Sequence, residues 1–343
     1  MKKTIPILIN DLAGGIRTDE TDVLVQAEAV QKSLDHLGYA FRIVPFTERM
    51  EDLKYFAGSP DVKAAFNLVE AVRGENALQY LAPLALERLG VPFTGNSAKA
   101  LRRTTDKILA KRIMNIAGVP TPPHLSTAVK VPGPKGSGKG RKREWIFKPV
   151  LEDASVGIPE DLIGPYPERE ALDILALLER ETGMPYMAEE FIHGREFNIS
   201  LIESAGSPAV FPPVEQDFSL LPASTPRVVG YRAKWVEDSV EYSSIPRRYA
   251  FQMNDRALLD EIRQVAINCW KIFGLSGYAR VDLRVDEKGR LFVLEINANP
   301  CLSPDAGFAF AAGLAGLTMD DLVLFLLDAA VSGTKGKKIP KAG

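Results

Sequence analysis

Cysteine and histidine are scarce in this chain of 343 residues, with two of the first (Cys269, Cys301) and three of the second (His36, His124, His193). Two thiols cannot build a disulfide framework, so the sequence reads as that of a protein from a reducing compartment, the cytoplasm. The histidines lie far apart without metal-ligand spacing and read as surface or structural residues. Charge of one sign is missing too. With 42 Lys+Arg against 44 Asp+Glu the net charge is -2 at pH 7, which leaves no basic footprint for nucleic acid. No apolar run approaches the ~18 residues of a membrane helix. The opening MKKTIPILIN sets two lysines before an apolar run, but Pro6 and Asn10-Asp11 interrupt it and no small-residue cleavage site follows. It reads as a first β-strand, not a leader.

What is present describes a soluble globular protein, with 46% hydrophobic and 25% charged residues and enough length for two or three packed domains. Strand and helix signals alternate over the first hundred residues. IPILI is followed by an amphipathic stretch over 22–37 with Val23, Ala27, Val30 and Leu34 at helical spacing, then by the strand FRIVPF. AAFNLVE reads as a third strand, 77–89 as a helix and VPFTG as a fourth strand, which together predict a doubly wound parallel sheet. A basic helix spans 96–117, and the Gly/Lys/Pro-rich stretch 130–144 reads as a mobile loop before the strand EWIFKPV. A helix over 168–182, the strands PYMAEEF and EFNISLIE, a long irregular stretch over 212–250, a helix over 255–273, a hairpin over 277–297 and a helix over 318–330 complete the pattern. The tail TKGKKIPKAG reads as disordered.

The hairpin GYARVDLRVDEKGRLFVLEINANP carries the strongest chemistry. If Asp286 to Gly289 form the turn, Val285 pairs with Arg290 and the alternation of faces gives one apolar side: Ala279, Val281, Leu283, Val285, Phe292, Leu294 and Ile296. The other side carries Arg280, Asp282 and Arg284, with Arg280 opposite Glu295 and with Asn297 nearby. Asp282, Glu295 and Asn297 offer the oxygen ligands that magnesium takes beside substrate phosphates. A solvated polar face with weak Arg–Glu pairs fits the same pattern. Three lysines bear on the choice. Lys148 stands alone in the apolar strand IFKPV, where it must snorkel or meet an anion; Lys107 lies in the basic helix and Lys234 in the irregular YRAKW. Each alone reads as a surface lysine, and together with a metal cluster they describe a polyphosphate site. GPKGSGKG (133–140) imitates a phosphate loop, but Gly140 stands where the metal-binding hydroxyl belongs, with no strand before it and no helix after.

Taken in order, the blocks FNLVEAVRGE, LERLGVPFTGNSAKALRRTTDKILAKRIMNIAGVPTP, FKPVLEDASVGI, EEFIHGREFNISLI, the hairpin and a closing helix after GLT resemble the D-alanine–D-alanine ligase branch of the ATP-grasp superfamily. The likeness runs from about residue 65 to 330. It implies an α/β and α+β fold in which two antiparallel sheets clasp ATP: an N-terminal unit over 1–96, a central one over 97–186, a C-terminal one over 187–331 and a tail over 332–343. It implies ATP with Mg2+, or Mn2+, an ADP-forming carboxylate–amine ligation through an acyl phosphate, small amino-acid or peptide substrates, no nucleic acid or membrane partner, and a homodimer. By the resemblance Lys107 and Lys148 contact the ATP phosphates, and Ser155-Val156-Gly157 closes over them. Glu189, Glu190, Phe191 and Ile192 form the strand that meets adenine, and Glu196 holds the ribose hydroxyls. Lys234 is the lid lysine on the γ-phosphate, Asp282, Glu295 and Asn297 the metal ligands, and Arg280 the arginine that stabilises the reacting oxyanion.

The departures fall in the substrate pocket. Ala154 and Trp235 stand at the family's serine and tyrosine positions, and Val69 at its histidine position. The loop GGIRTDETD offers Asp19 or Glu20 for the usual glutamate. Pro300-Cys301 replaces Pro-Gly, and DAGF (305–308) replaces the serine that holds the second substrate's carboxylate. A buried polar trio that loses two members cannot keep its function, so the sequence predicts that D-alanyl-D-alanine is a poor product. A true D-alanine–D-alanine ligase and a non-catalytic Mg-ATP binder are the alternatives, the second disfavoured by the intact metal and lysine set.

Overall fold

The computed structural model describes residues 3–12, 22–47, 51–127, 143–153, 155–236 and 238–332. Strand β1 (Thr4–Asn10) buries residues on both faces, as its apolar run requires of a central parallel strand. Helix α1 (Asp22–His36) packs back on it through Val23, Ala27, Val30 and Leu34. β2 (Ala40–Phe46) runs parallel to β1 along its whole length. A short α2 (Glu51–Lys54) leads to β3 (Phe66–Asn67), which pairs with the other edge of β1, and α3 (Leu81–Leu89) closes the unit.

The sheet has the order β2-β1-β3, so the expected fourth strand is a correction: VPFTG supplies one bridge, Ala65 to Phe93, and AAFNLVE shortens to β3. Side chains take the place of the ladder. Thr94 accepts the Asn67 N–H at 3.0 Å, and Asn10 Oδ1 accepts the N–H groups of Glu70 and Ala71 at 2.8 and 3.1 Å.

The basic helix divides into α4 (Ala98–Thr105) and α5 (Lys107–Ile116). Asp106 causes the break: its ψ of 100° leaves the helical region, and its carboxylate accepts from Leu109 N and caps α5. The central antiparallel sheet, of order β4-β7-β5-β6, follows with β4 (His124–Leu125), β5 (Arg143–Pro149), β6 (Gly164–Tyr166), α6 (Glu168–Thr182) and β7 (Tyr186–Glu190). Trp145, Phe147, Tyr186 and Ala188 pack on Ala171 and Leu175 of α6 as a self-contained core.

The C-terminal sheet contains β8 (Arg195–Ser204), β9 (Ser207–Val210) and β10 (Val214–Gln216). The expected irregular stretch then holds α7 (Tyr231–Trp235), α8 (Val240–Ser243) and β11 (Arg247–Arg248). After α9 (Arg256–Phe273) come β12 (Tyr278–Val285) and β13 (Leu291–Asn297), giving the order β11-β10-β8-β12-β13 with β9 on β8. α10 (Gly307–Leu314) and α11 (Met319–Ser332) finish the described chain. A second core runs from β1 and α1 through Ile202, Phe211 and Tyr278 to Phe308 and α11. No single described helix is long and apolar enough to cross a membrane.

The hairpin forms, but in a different register. Val285 pairs with Leu291, not Arg290, because Asp286 accepts from the N–H groups of Lys288 and Arg290 and draws Arg290 into the turn. A bulge between Asp282 and Leu283 then moves the pairing one further residue, to Asp282 with Glu295 and Arg280 with Asn297. Leu291, Val293 and Ile296 face the core in place of Phe292 and Leu294, and the bulge lets Leu294 and Glu295 both line the cleft. GPKGSGKG, the tail 334–343, Asp19, Glu20, Ala154 and the side chain of Trp235 lie outside the described residues.

Candidate active site

Between the central and C-terminal sheets lies a cleft of about 720 Å³. From the central side Lys107, Lys148, Ser155, Glu189, Glu190, Phe191 and Ile192 line it; from the other side Glu196, Lys234, Arg280, Asp282 and Glu295 do. Val156 joins them, so that of the residues expected in the site and described in the structure only Gly157 and Asn297 do not line this space. Asn297 lines a smaller recess of about 170 Å³, which Lys234, Arg280 and Glu295 also border.

Lys148 meets an anion in its apolar strand. Its ammonium donates to Glu189 Oε1 at 2.6 Å, while Lys111 pairs with Glu189 Oε2 and donates to Thr121 at 2.7 Å. Glu189 is only 1% exposed, and so is Lys111. Burial pushes the Glu189 carboxyl up, but Lys111 and Lys148 more than reverse this and hold it at about 2. The side chain of Glu189 therefore holds two lysines, and its strand is paired on both sides, with His124 and with Ile146. Lys111 escaped the sequence reading, although its place one turn after Lys107 puts both on one face of α5. His124, cross-strand from Glu189, is kept neutral, its pKa lowered to about 4 by burial and then by Lys111.

The loop after β5 is pinned over the lysines. Lys107 donates to the Glu152 carbonyl and lies 3.6 Å from Asp153. Ser155 has a φ of 63°, in the left-handed region, and its Oγ donates to the Val229 carbonyl at 2.8 Å, tying this loop to the irregular stretch. Gly157 is required: at its φ of +72° a Cβ would lie 2.8 Å from Pro149 Cγ.

At the other end of the cleft Arg284 is 3% exposed and ties several groups together. It donates to Glu196 Oε2 at 2.9 and 2.8 Å and to the Ile192 carbonyl at 2.7 Å, with its guanidinium 4.7 Å from the Phe191 ring centroid. Both bonds to Glu196 fall on one oxygen; the other accepts no hydrogen bond among the described residues and suits a hydroxyl donor. Arg284 was visible as part of the polar hairpin face but had no role there.

The new register sets the carboxylates of Asp282 and Glu295 directly across from each other, an arrangement that repels unless a cation lies between or beside them. Arg280 donates to both oxygens of Asp282 at 2.8 Å each, and Asn198 donates to Asp282 Oδ1 at 2.7 Å. Gln216 in turn donates to Asn198. Glu295 accepts no hydrogen bond from any described residue. Burial pushes its carboxyl up, and Lys107, Lys234, Lys148 and Arg280 together bring it below the usual range. An ionised carboxylate without a hydrogen-bond donor, facing a second carboxylate with a carboxamide nearby, fits Mg2+ by its donor chemistry. Burial lowers the Lys234 ammonium, against the pull of Glu295.

The recess lies at the carboxyl ends of β1 and β3, where open parallel sheets place their ligands. Asp22 accepts from Ser303 Oγ at 2.5 Å and from Cys301 Sγ at 2.9 Å. One turn further along α1, Gln26 accepts the Leu302 N–H and donates to Glu70, each at 2.9 and 2.8 Å respectively. Val69 is buried in the N-terminal core; its neighbour Glu70 is the residue that faces the recess.

The D-ala D-ala ligase C-terminus family model matches residues 145–328, more than half of the chain. A protein of Sinorhizobium fredii named y4sG is 30% identical over 265 residues, covering 77% of this chain and 74% of that one. A D-alanine–D-alanine ligase of Marinomonas sp. is 30% identical over 238 residues, or 69% of each chain. The solved structure of the Bacillus anthracis D-alanine–D-alanine ligase complexed with ATP superposes with a TM-score of 0.69 at 18% identity, covering 97% of this chain and 98% of that one. Two facing antiparallel sheets, the lysines between them and these matches lead to one conclusion: the chain is an ATP-grasp ligase and belongs to the D-alanine–D-alanine ligase family.

Proposed function

We propose that this enzyme joins an amino-acid or peptide carboxylate to an amine at the expense of ATP, with a substrate pair other than two D-alanines. One observation supports this most: six charged groups of complementary sign, Lys107, Lys148, Lys234, Arg280, Asp282 and Glu295, line one cleft between the two sheets. In this reading the three units over 1–96, 97–186 and 187–331 supply the recess, the phosphate-binding wall and the metal-binding wall.

Lys107, Lys148 and Lys234 hold the ATP phosphates and offset the charge that gathers on the γ-phosphoryl. Glu196 takes the ribose hydroxyls, and the backbone of 189–192 meets the base. A Mg2+ ion held by Asp282, Glu295 and Asn297 supplies charge neutralisation at the phosphates when bound. A carboxylate oxygen of the first substrate, seated by the recess, attacks the γ-phosphorus and ADP leaves. The amine of the second substrate then attacks the acyl carbon, inorganic phosphate departs with the C–O bonding pair, and the amine gives up its proton. Arg280 offsets the negative oxygen of the tetrahedral species. Ser155 and the stretch around Val229 it bonds cover the reacting groups, which protects the acyl phosphate from water.

The change of substrate rests on the recess. Glu70 and Asp22 border it, Cys301 replaces a glycine of the family pattern, and Ala154 and Trp235 replace a serine and a tyrosine. ADP release from Mg-ATP against a panel of D- and L-amino acids, dipeptides and hydroxy acids tests both parts. Release with D-alanine alone at the rate of the family's D-alanine ligases refutes the change of substrate. Tight Mg-ATP binding with no release on any panel member refutes the ligase reading.

A further inference from the structure

β11 contains two consecutive arginines, and a strand sends consecutive side chains to opposite faces. Arg248 pairs with Glu215 in register and grips both oxygens of its carboxylate through Nε and Nη2, at 3.0 and 2.6 Å. Arg247 pairs with Gln216, which lines the cleft, and Arg247 lines the cleft beside it. There it donates to the backbone carbonyl of Asp305 at 2.8 Å and lies over the Phe310 ring at 5.3 Å, but it makes no ion pair with any described carboxylate. Its other charged neighbours are Asp305 and a like charge, Arg280. Two guanidinium groups that repel each other across a cleft are a place for an anion.

The anion is identified by position. The phosphates have Lys107, Lys148 and Lys234. The first substrate's carboxylate is the reacting group, and the rest of that molecule has the recess, which Arg280 borders and Arg247 does not. Arg247 thus borders the cleft beside Arg280 but outside the recess, in the part of the cleft left for the amine-bearing substrate. Phe310, Tyr249 and Tyr242 wall this side with aromatic surface, and Tyr249 meets Phe310 edge-on at 5.6 Å.

We infer that Arg247 binds the carboxylate of the amine-donating substrate, so that the second substrate is an amino acid or peptide with a free carboxylate and an apolar side chain against the Phe310–Tyr249 wall. The inference rests on the ligase reading above. It explains how the chain manages without a serine in DAGF: a cation on a neighbouring strand takes over the carboxylate.

The test holds Mg-ATP and the first substrate at saturation and compares acceptors as free acid and carboxamide, for example phenylalanine with phenylalaninamide and alanine with alaninamide. With the unaltered enzyme the acid exceeds its amide roughly 10- to 100-fold in kcat/KM, as expected for losing a charge-assisted hydrogen bond. Arg247→Gln removes that preference by raising the acceptor KM, with the ATP dissociation constant unchanged in titration. Arg247→Lys retains the sign of the preference. Equal use of acid and amide by the unaltered enzyme overturns the inference without a variant. A preference that survives in Arg247→Gln overturns it as well, while ligation itself stands. If no acceptor yields product although Mg-ATP binds, the ligase reading fails and takes this inference with it.

Discussion

Glu189 offers the sharpest test of how the lysine-lined wall of the cleft is held together. Its carboxyl is brought from 4.5 to about 2 by Lys111 and Lys148, against a burial effect of opposite sign. At about 1.36 kcal/mol per pKa unit, this drop corresponds to ~3 kcal/mol of stabilisation of the folded state. A depressed carboxyl contributes fully above its unfolded pKa and loses that contribution as pH falls towards the folded value, so the contribution drains away between about pH 5 and pH 2. Glu189→Gln keeps the shape but leaves two ammonium groups facing each other without an anion, and breaking a buried pair in this way costs ~3–5 kcal/mol. Urea unfolding followed by tryptophan fluorescence measures it, since Trp145 is fully buried in the same sheet. At pH 7 the variant unfolds at distinctly lower urea, and its stability falls less steeply than the parent's between pH 5 and pH 3. Adding Lys111→Met to Glu189→Gln recovers part of the loss, because one uncompensated charge is gone. A Glu189→Gln protein with the parent's urea midpoint at pH 7 refutes the account.

Three other outcomes are expected. Glu295→Gln lowers ADP release roughly 100-fold or more and raises the magnesium concentration needed for half activity, read from a MgCl2 titration, because an oxygen ligand with several kcal/mol of charge stabilisation is lost. Gly194→Ala destabilises the fold by ~2 kcal/mol or more, since φ at Gly194 is +132° and the new Cβ would run into the Val285 carbonyl; calorimetry on the purified variant reads it as a lowered thermal midpoint. Burial raises the Cys269 thiol to about 12, so about one molecule in ten thousand is thiolate at pH 8, and burial with the charges of Glu70 and Asp22 pushes Cys301 up too. Ellman's reagent at pH 8 should therefore titrate both thiols only after denaturation.

The long amphipathic helices were legible because their period survives packing: α6 and α9 begin and end within a residue of the sequence reading. α10 was not, since GFAFAAGL is apolar on every side and carries no period to detect. The hairpin was legible as a hairpin and as a polar cluster. Its register was not, because a carboxylate at Asp286 bonding local N–H groups and a bulge at Leu294 both act through the backbone, which alternation does not record. The resemblance pointed to 189–192, of which only Glu189 and Glu190 lie in β7, and gave no hint that the Glu189 side chain pairs with Lys111, which arrives from a helix distant in sequence. Arg247 and Arg248 are alike in sequence and differ only in which face of β11 each takes.

The shared apolar core has a mechanical consequence. The N-terminal unit and the C-terminal sheet bury Ile5, Ile7, Ile202, Tyr278, Phe308 and Leu326 in one body, and Asn96 bolts them together by donating to the Tyr278 and Ala298 carbonyls at 2.7 Å each. Pulling these two parts asunder would wet that core, whereas the central sheet keeps its own behind α6. The mouth of the enzyme is thus a door with one fixed jamb. A displacement of the central sheet would carry Lys148 with it, whereas Lys107, on α5, packs through Ala110 and Met114 into the core of the C-terminal sheet and would stay with Asp282, Glu295 and Arg247. In the proposed reaction the spacing of the two substrate sites would then follow from that one body, and the central sheet would govern when they react, not how far apart they sit.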